Sequence, residues 1–350
     1  MTVFEPLDEL KSATMSETEF YQLIKMGLYR LEEKNFGRDQ WGCFRAENSI
    51  LYSQLKSPFF DVIMQKRLKN GTSGDIRTPV WPSDRPFAVA LSHDVDAIKN
   101  PGRTDTPDHF FWNFDAYLQL EEQLGFRSAF YVVAMAYEDS INPDYDIVED
   151  PLRSTLRQLT AQGWDVGLHL SYGSHLNLQK IRQEKDRLEQ ILGAAVLGGR
   201  CHFLPFEVEV TPFLMKEVGF VYDTTLGYNE IIGFRSGTSF PHRFLDEESK
   251  TTGGVLELPL HIMDGALFWD MGLTDEEALE EMKNMAGQVE NVGGCLNVLW
   301  HLRVLDNPDY PGWGDVYKSF LMWLKDKNAW VTTPGDVAQW WIEREQKCVA

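Results

Sequence analysis

The chain has 350 residues, of which 43% are hydrophobic and 25% charged; these proportions exclude a disordered or fibrous protein and provide for a sizeable core. With 33 Lys and Arg against 53 Asp and Glu, the formal net charge is −20. Such a field repels phosphate backbones and anionic headgroups, so nucleic acid is not an expected partner. No apolar run approaches the ~18 residues that a membrane span needs. Met1 to Asp8 contain neither the basic nor the apolar stretch of a secretory leader. Cys43, Cys201, Cys295 and Cys348 are scattered without paired spacing, which fits reduced thiols and an expected cytoplasmic location.

In chain order, Ser16 and Glu19 form a capping-box pattern ahead of Phe20, Leu23, Ile24, Leu28 and Leu31, which share one helical face. A turn-rich stretch from Asn70 to Asp75, closed by Pro79, Pro82 and Pro86, reads as a linker. Residues 1–82 are therefore expected to form a mostly helical N-terminal region and linker, packed as a cap on a main domain of residues 83–350. In that domain apolar, β-rich runs at 87–92, 127–134, 164–170, 200–206, 220–226, 255–262, 295–300 and 329–332 alternate with helical patterns. The helical patterns lie at 110–124, 151–162, 177–192, 211–218, 274–291, 314–327 and 334–346. Buried strands alternating with amphipathic helices predict an α/β fold with a parallel sheet, and seven or eight strands favour closure into a barrel.

In such barrels the C-terminal strand ends face a common mouth, so polar residues there are candidates for chemistry. The first run ends in Ser92-His93-Asp94-Val95-Asp96, where two carboxylates two residues apart project to one side. Two like charges in one place call for a cation or a shared proton. A third run ends at His169, with His175 six residues later; the fourth contains Arg200 and His202; the seventh ends in Trp300-His301. Imidazole and carboxylate together suit Zn²⁺ and similar divalent metals. Asp223 follows one further strand, and Arg235 lies on the loop beyond it.

Taken together and in this order, these motifs resemble the polysaccharide deacetylase family of carbohydrate esterases, over roughly residues 86–335. The resemblance implies a distorted (β/α)7 TIM-like barrel and a metal-dependent deacetylase. On the matching positions it implies Asp94 as general base, Asp96 and His169 as metal ligands, and His301 as general acid. Where the family's second motif carries another His, this chain has Gly173, whereas the third motif has His202 in place of Pro. A relocated third ligand is expected, His202 ahead of His175. Arg200 is expected to orient Asp94, and Asp223 to orient Arg200 or His301. Tyr172, Phe203 and Arg235 are expected to touch substrate. The expected partner is an N-acetylated sugar or glycan intermediate, nucleotide- or lipid-linked forms included, and the expected cofactor is Zn²⁺, with Co²⁺, Ni²⁺ or Fe²⁺ as alternatives. Two other readings remain open here: a hydrolase of a small cyclic amide or ureide on the same scaffold, and a catalytically inactive carbohydrate-binding barrel.

Overall fold

A computed structural model of the chain describes residues 16–71, 80–98, 112–135, 141–143, 145–305 and 307–349. The first residues of the chain, most of the linker expected at 70–79, the start of the helix expected at 110–124 and the Cys348 side chain lie outside the described part.

The frame is one curled sheet. Its strands are β1 (Ala88–Val95), β2 (Ala129–Val132), β3 (Asp165–Leu170), β4 (Gly198–Cys201), β5 (Tyr222–Asp223), β6 (His242–Asp246), β7 (Thr251–Glu257), β8 (Ile262–Met263), β9 (Cys295–Leu299) and β10 (Trp330–Thr332). They lie in the order β6-β7-β5-β4-β3-β2-β1-β9-β8. All pairings are parallel except the β6–β7 hairpin. β10 pairs with Ala88–Ala90 and β2 with Ser92–Val95, so these two strands share one side of β1 end to end. The ring closes through a single stretch of chain. β7 pairs with β5, the Leu258 and Leu260 amides bond the Asp223 and Leu226 carbonyls, the His261 amide reaches Asn297, and β8 pairs with β9. The parallel ring is therefore β1 to β5, the β7–β8 stretch and β9, as a (β/α)7 barrel requires.

Alternation along β1 sorts its side chains between two layers. Ala88 and Ala90 cluster with Ala129, Tyr131 and Tyr222 inside the ring. Val89, Leu91 and Val95 join the larger core beneath the helices. His93 also lies outside the ring, between the Trp300 carbonyl and Glu121. The two interior tyrosines fit because β3 and β4 carry glycine opposite them: a Cβ at Gly167 would collide with Tyr131, and one at Gly198 with Tyr222. Their hydroxyls lie 3.0 Å apart. Outside, Asp275–Val292 starts at a capping box of Thr274 and Glu277, while Leu178–Leu192 buries Ile181 and Leu188.

The N-terminal part opens with Glu17–Leu23, capped by Ser16 and Glu19, and reaches the helix Phe59–Gly71 through short turns. Phe20, Leu23, Leu51, Phe59, Phe60 and Ile63 form its own small core. Leu31 instead packs with Phe206, Val208, Leu226 and Phe244. Asp61 accepts hydrogen bonds from Thr238 and Ser239, and the buried Glu33 is shared by Arg30 and Arg235.

Three departures from the expected elements have local causes. The run at 255–262 divides into β7 and β8 because the chain changes partners across the ring. The strand expected at 200–206 ends at Cys201, since Phe203 and Leu204 both turn into left-handed backbone, with φ of 66° and 60°. β6 was not anticipated, being a short and mostly polar strand that forms by pairing antiparallel with β7. No helix among the described residues is long and apolar enough to cross a membrane.

Candidate active site

The alternation that fills the lower ring with alanines points Ser92 and Asp94 inward at the other end of β1, with Asp96 just beyond it. His169 on β3 is in register with Arg200 on β4. His202, two residues after Arg200, falls on the same face, and its amide bonds the Leu170 carbonyl. Asp96, His169 and His202 each bring one ligand atom to a common point, all within 4.8 Å of one another.

The hydrogen bonds around these atoms fix what they can do. His169 Nδ1 lies 2.9 Å from the Arg200 carbonyl and His202 Nε2 lies 2.9 Å from the Ile141 carbonyl. A carbonyl only accepts, so each of these nitrogens carries the proton, and in the neutral ring the other nitrogen presents a lone pair. Those lone pairs, on His169 Nε2 and His202 Nδ1, face each other at 3.0 Å. Asp96 Oδ1 lies 3.4 Å from both and has no hydrogen-bond partner, although it is buried. Three acceptors converging without a donor among them repel one another unless a cation sits between them. The residues therefore fit a divalent metal.

Two further pairs flank this point. Arg200, fully buried, donates from Nη1 to Asp94 Oδ1 at 2.7 Å and from Nη2 to Ser92, while its Nε bonds the Thr224 carbonyl. Asp94 Oδ2 lies 3.6 Å from His169. On the other flank, Asp264 directly follows β8 and accepts from the His301 backbone amide at 2.8 Å and from its Nδ1 at 2.6 Å. His301 Nε2 then faces Asp96 Oδ2 at 3.2 Å, and Arg303 holds the same oxygen at 2.7 Å. Burial alone would raise the Asp96 carboxyl, but His301 and Arg303 hold it well below the usual carboxylate range. Burial alone would lower the His301 imidazole, but Asp264 and Asp96 lift it to about 10.

No protein-family model matches the chain, and no curated protein sequence matches it. Solved structures do. A protein from Mycobacterium smegmatis assigned as a polysaccharide deacetylase aligns at 20% identity over 76% of this chain and 93% of its own, with a TM-score of 0.56. This chain has the polysaccharide deacetylase fold. Similarity extends at lower TM-scores to a peptidoglycan deacetylase from Bacillus subtilis (15% identity, 75% and 95% of the two chains, TM-score 0.40). It also extends to a polysaccharide deacetylase from Bacillus cereus (14%, 71% and 91%, TM-score 0.37).

Within this deacetylase fold the site opens into a cleft of about 1170 Å³, lined by Asp94, Asp96, His169, His202, Phe203, His301 and Arg303, and also by Trp41, Arg38 and Arg45 of the N-terminal part and by Trp269. Not every expected residue reaches it. Asp223 touches neither Arg200 nor His301 by hydrogen bond; its carboxylate bonds Thr225. Tyr222 points inward, so the next side chain points out, towards the equally buried Glu257. Arg235, expected at substrate, is buried and clamps Glu33 with two bonds. Tyr172 stands edge-on to Trp41 and Phe203 rather than in the cleft lining. His175 is not one of the clustered ligands; burial first, and then the Arg38 charge, lower its imidazole to about 4. Asp264, Arg303 and Trp41 were not singled out from the sequence. Asp264 gave the same signal as the others, an acid closing an apolar run.

Proposed function

We propose that this protein is a metal-dependent hydrolase that removes an acetyl group from an N-acetylated sugar or glycan intermediate, including nucleotide- or lipid-linked forms, in the cytoplasm. What carries this reading is the convergence of Asp96 Oδ1, His169 Nε2 and His202 Nδ1 without a donor between them. One carboxylate and two imidazoles are a Zn²⁺ set, and Co²⁺, Ni²⁺ and Fe²⁺ accept the same donors. When bound, the metal would polarise the acetyl carbonyl and lower the pKa of water toward ~7.

The protein's own groups do the rest. Arg200 holds Asp94 by Oδ1 and leaves Oδ2 on the metal side, so Asp94 takes the proton from the attacking water as general base. His301, with Nδ1–H donating to Asp264, presents Nε2 to the cleft and protonates the departing amine, which cannot leave as an anion near neutral pH. Asp264 keeps that imidazole in one tautomer and favours its protonated form. Asp264 would sustain most of the lift on His301 with a metal held by Asp96, since Asp96 would then share its charge with the ion. Arg303 fixes Asp96 Oδ2 and thereby turns Oδ1 toward the two imidazoles.

Elemental analysis of the purified protein, and of its Asp96→Ala, His202→Ala and His175→Ala variants, tests the metal. One equivalent is expected in wild type and in His175→Ala, and none in the other two. An assay for acetate released from N-acetylhexosamine conjugates tests the reaction. Wild type without metal after incubation with Zn²⁺ or Co²⁺ would overturn the reading, and so would a metal-loaded enzyme that hydrolyses cyclic amides but no N-acetyl sugar.

A further inference from the structure

We infer that residues 39–43 of the N-terminal part are a positioning device for His202, so that the geometry of the metal centre depends on a segment outside the barrel. This rests on the metal-site reading above.

The chain just after His202 is held in an unfavourable conformation. Phe203 and Leu204 both have left-handed backbone, with φ of 66° and 60°. Consecutive residues bearing side chains persist there only where their surroundings over-determine them. His202 depends on this turn, because the Phe203 ring lies 4.2 Å from its imidazole. The ring can present Nδ1 to His169 and Asp96 only while that turn keeps its shape.

Much of what holds the turn comes from residues 39–43. Trp41 stacks flat on Phe203, with ring centroids 4.4 Å apart and planes 4° from parallel. The Cys43 thiol donates to the Phe203 carbonyl at 2.8 Å, and Asn229 donates to the same oxygen at 2.8 Å. Burial, and then Asp39, push that thiol up to about 12, so the donor keeps its proton.

The segment is itself shaped to make both contacts. Asp39 Oδ1 accepts from the Trp41 and Cys43 amides at 2.8 and 2.9 Å, and the Asp39 amide bonds the Cys43 carbonyl. Gly42, with φ of +81°, supplies the left-handed step between the two contacting residues. The ring and the thiol thus meet one residue, Phe203, from a single pinned turn.

The test is a Co²⁺ titration followed by visible absorption, on wild type and on Trp41→Ala, Trp41→Phe, Cys43→Ala and Cys43→Ser, with the melting temperature of each metal-free protein as control. The alanine variants are expected to bind Co²⁺ about 10–100-fold more weakly, as supporting residues of metal ligands do, with an altered absorption envelope. Phe restores a flat ring and Ser restores a donor, so these two variants should recover most of the loss. Folded alanine variants with wild-type Co²⁺ affinity and spectrum would overturn the inference while leaving the metal site standing. Wild type that binds no Co²⁺ would overturn both. If Trp41→Ala does not fold, the Cys43 pair decides, since it removes or restores one hydrogen bond and leaves the ring stack in place.

Discussion

Asp94 and Asp96 are two residues apart on one strand, yet they meet different neighbours. Asp94 is gripped by Arg200, whereas Asp96 receives His301 and Arg303 on one oxygen and leaves the other bare between two imidazole lone pairs. Asp94→Asn removes the base but no ligand, so turnover should fall by about 10²–10⁴-fold with metal content unchanged; near-wild-type turnover would refute the role of Asp94. Asp264→Asn should likewise lower turnover, by about 10²-fold, with metal content retained, because only the orientation and charge of His301 depend on it; unchanged turnover would remove Asp264 from the site. Much of this site was readable in the sequence because each polar residue closed an apolar run. Facing was harder to read. Asp223 also closes a strand, but Tyr222 fills the ring interior, so period-two alternation sends Asp223 out and Thr224 in, where Thr224 meets Arg200. Arg235 could not be resolved at all, because its partner, Glu33, lies 202 residues away.

Among the elements, the turn Leu31–Asn35 carries the strongest electrostatic commitment of the N-terminal part. Glu33 is buried on it, bonded by Arg30, Arg38 and Arg235, with Glu32 on Arg30 beside it. Burial alone would raise the Glu33 carboxyl, but Arg235, then Arg30 and Arg38, bring it down from 4.5 to about 2. Between those two values the unfolded chain binds a proton that the folded chain does not, so stability rises with pH across that window. Glu33's share, on the order of 3 kcal/mol, is fully present above about pH 4.5 and is lost as pH falls toward 2. Glu33→Gln leaves buried arginines without their charge partner and should cost about 3–5 kcal/mol at neutral pH. Urea unfolding of wild type and variant from neutral to acid pH measures the gap. It should narrow as pH falls below about 4.5, and a gap independent of pH would show that the ion cluster does not set it.

At the scale of the whole molecule, alternation along the chain announced the barrel, but two features depended on pairings that no local window contains. One is the closure of the ring through β7 and β8; the other is the way the N-terminal part joins it. That part has a small core of its own, which would suit an independent module, yet its strongest contacts run outward. Leu31 packs among barrel residues, Phe60 bonds the Gly237 carbonyl, Leu55 accepts from Phe234, and Arg30 reaches the Arg235 carbonyl. Separating the two would expose Phe206, Val208 and Phe244 and strand the buried Arg235 without Glu33. Chains longer than ~150 residues often unfold in steps, but these shared contacts lead us to expect one. Calorimetric and van't Hoff enthalpies of the metal-free protein should agree, and hydrogen exchange should show the helix Phe59–Gly71 opening with β1 rather than before it. A separate early transition confined to residues 16–71 would show instead that the N-terminal part is a module, held to the barrel too weakly to shape its cleft.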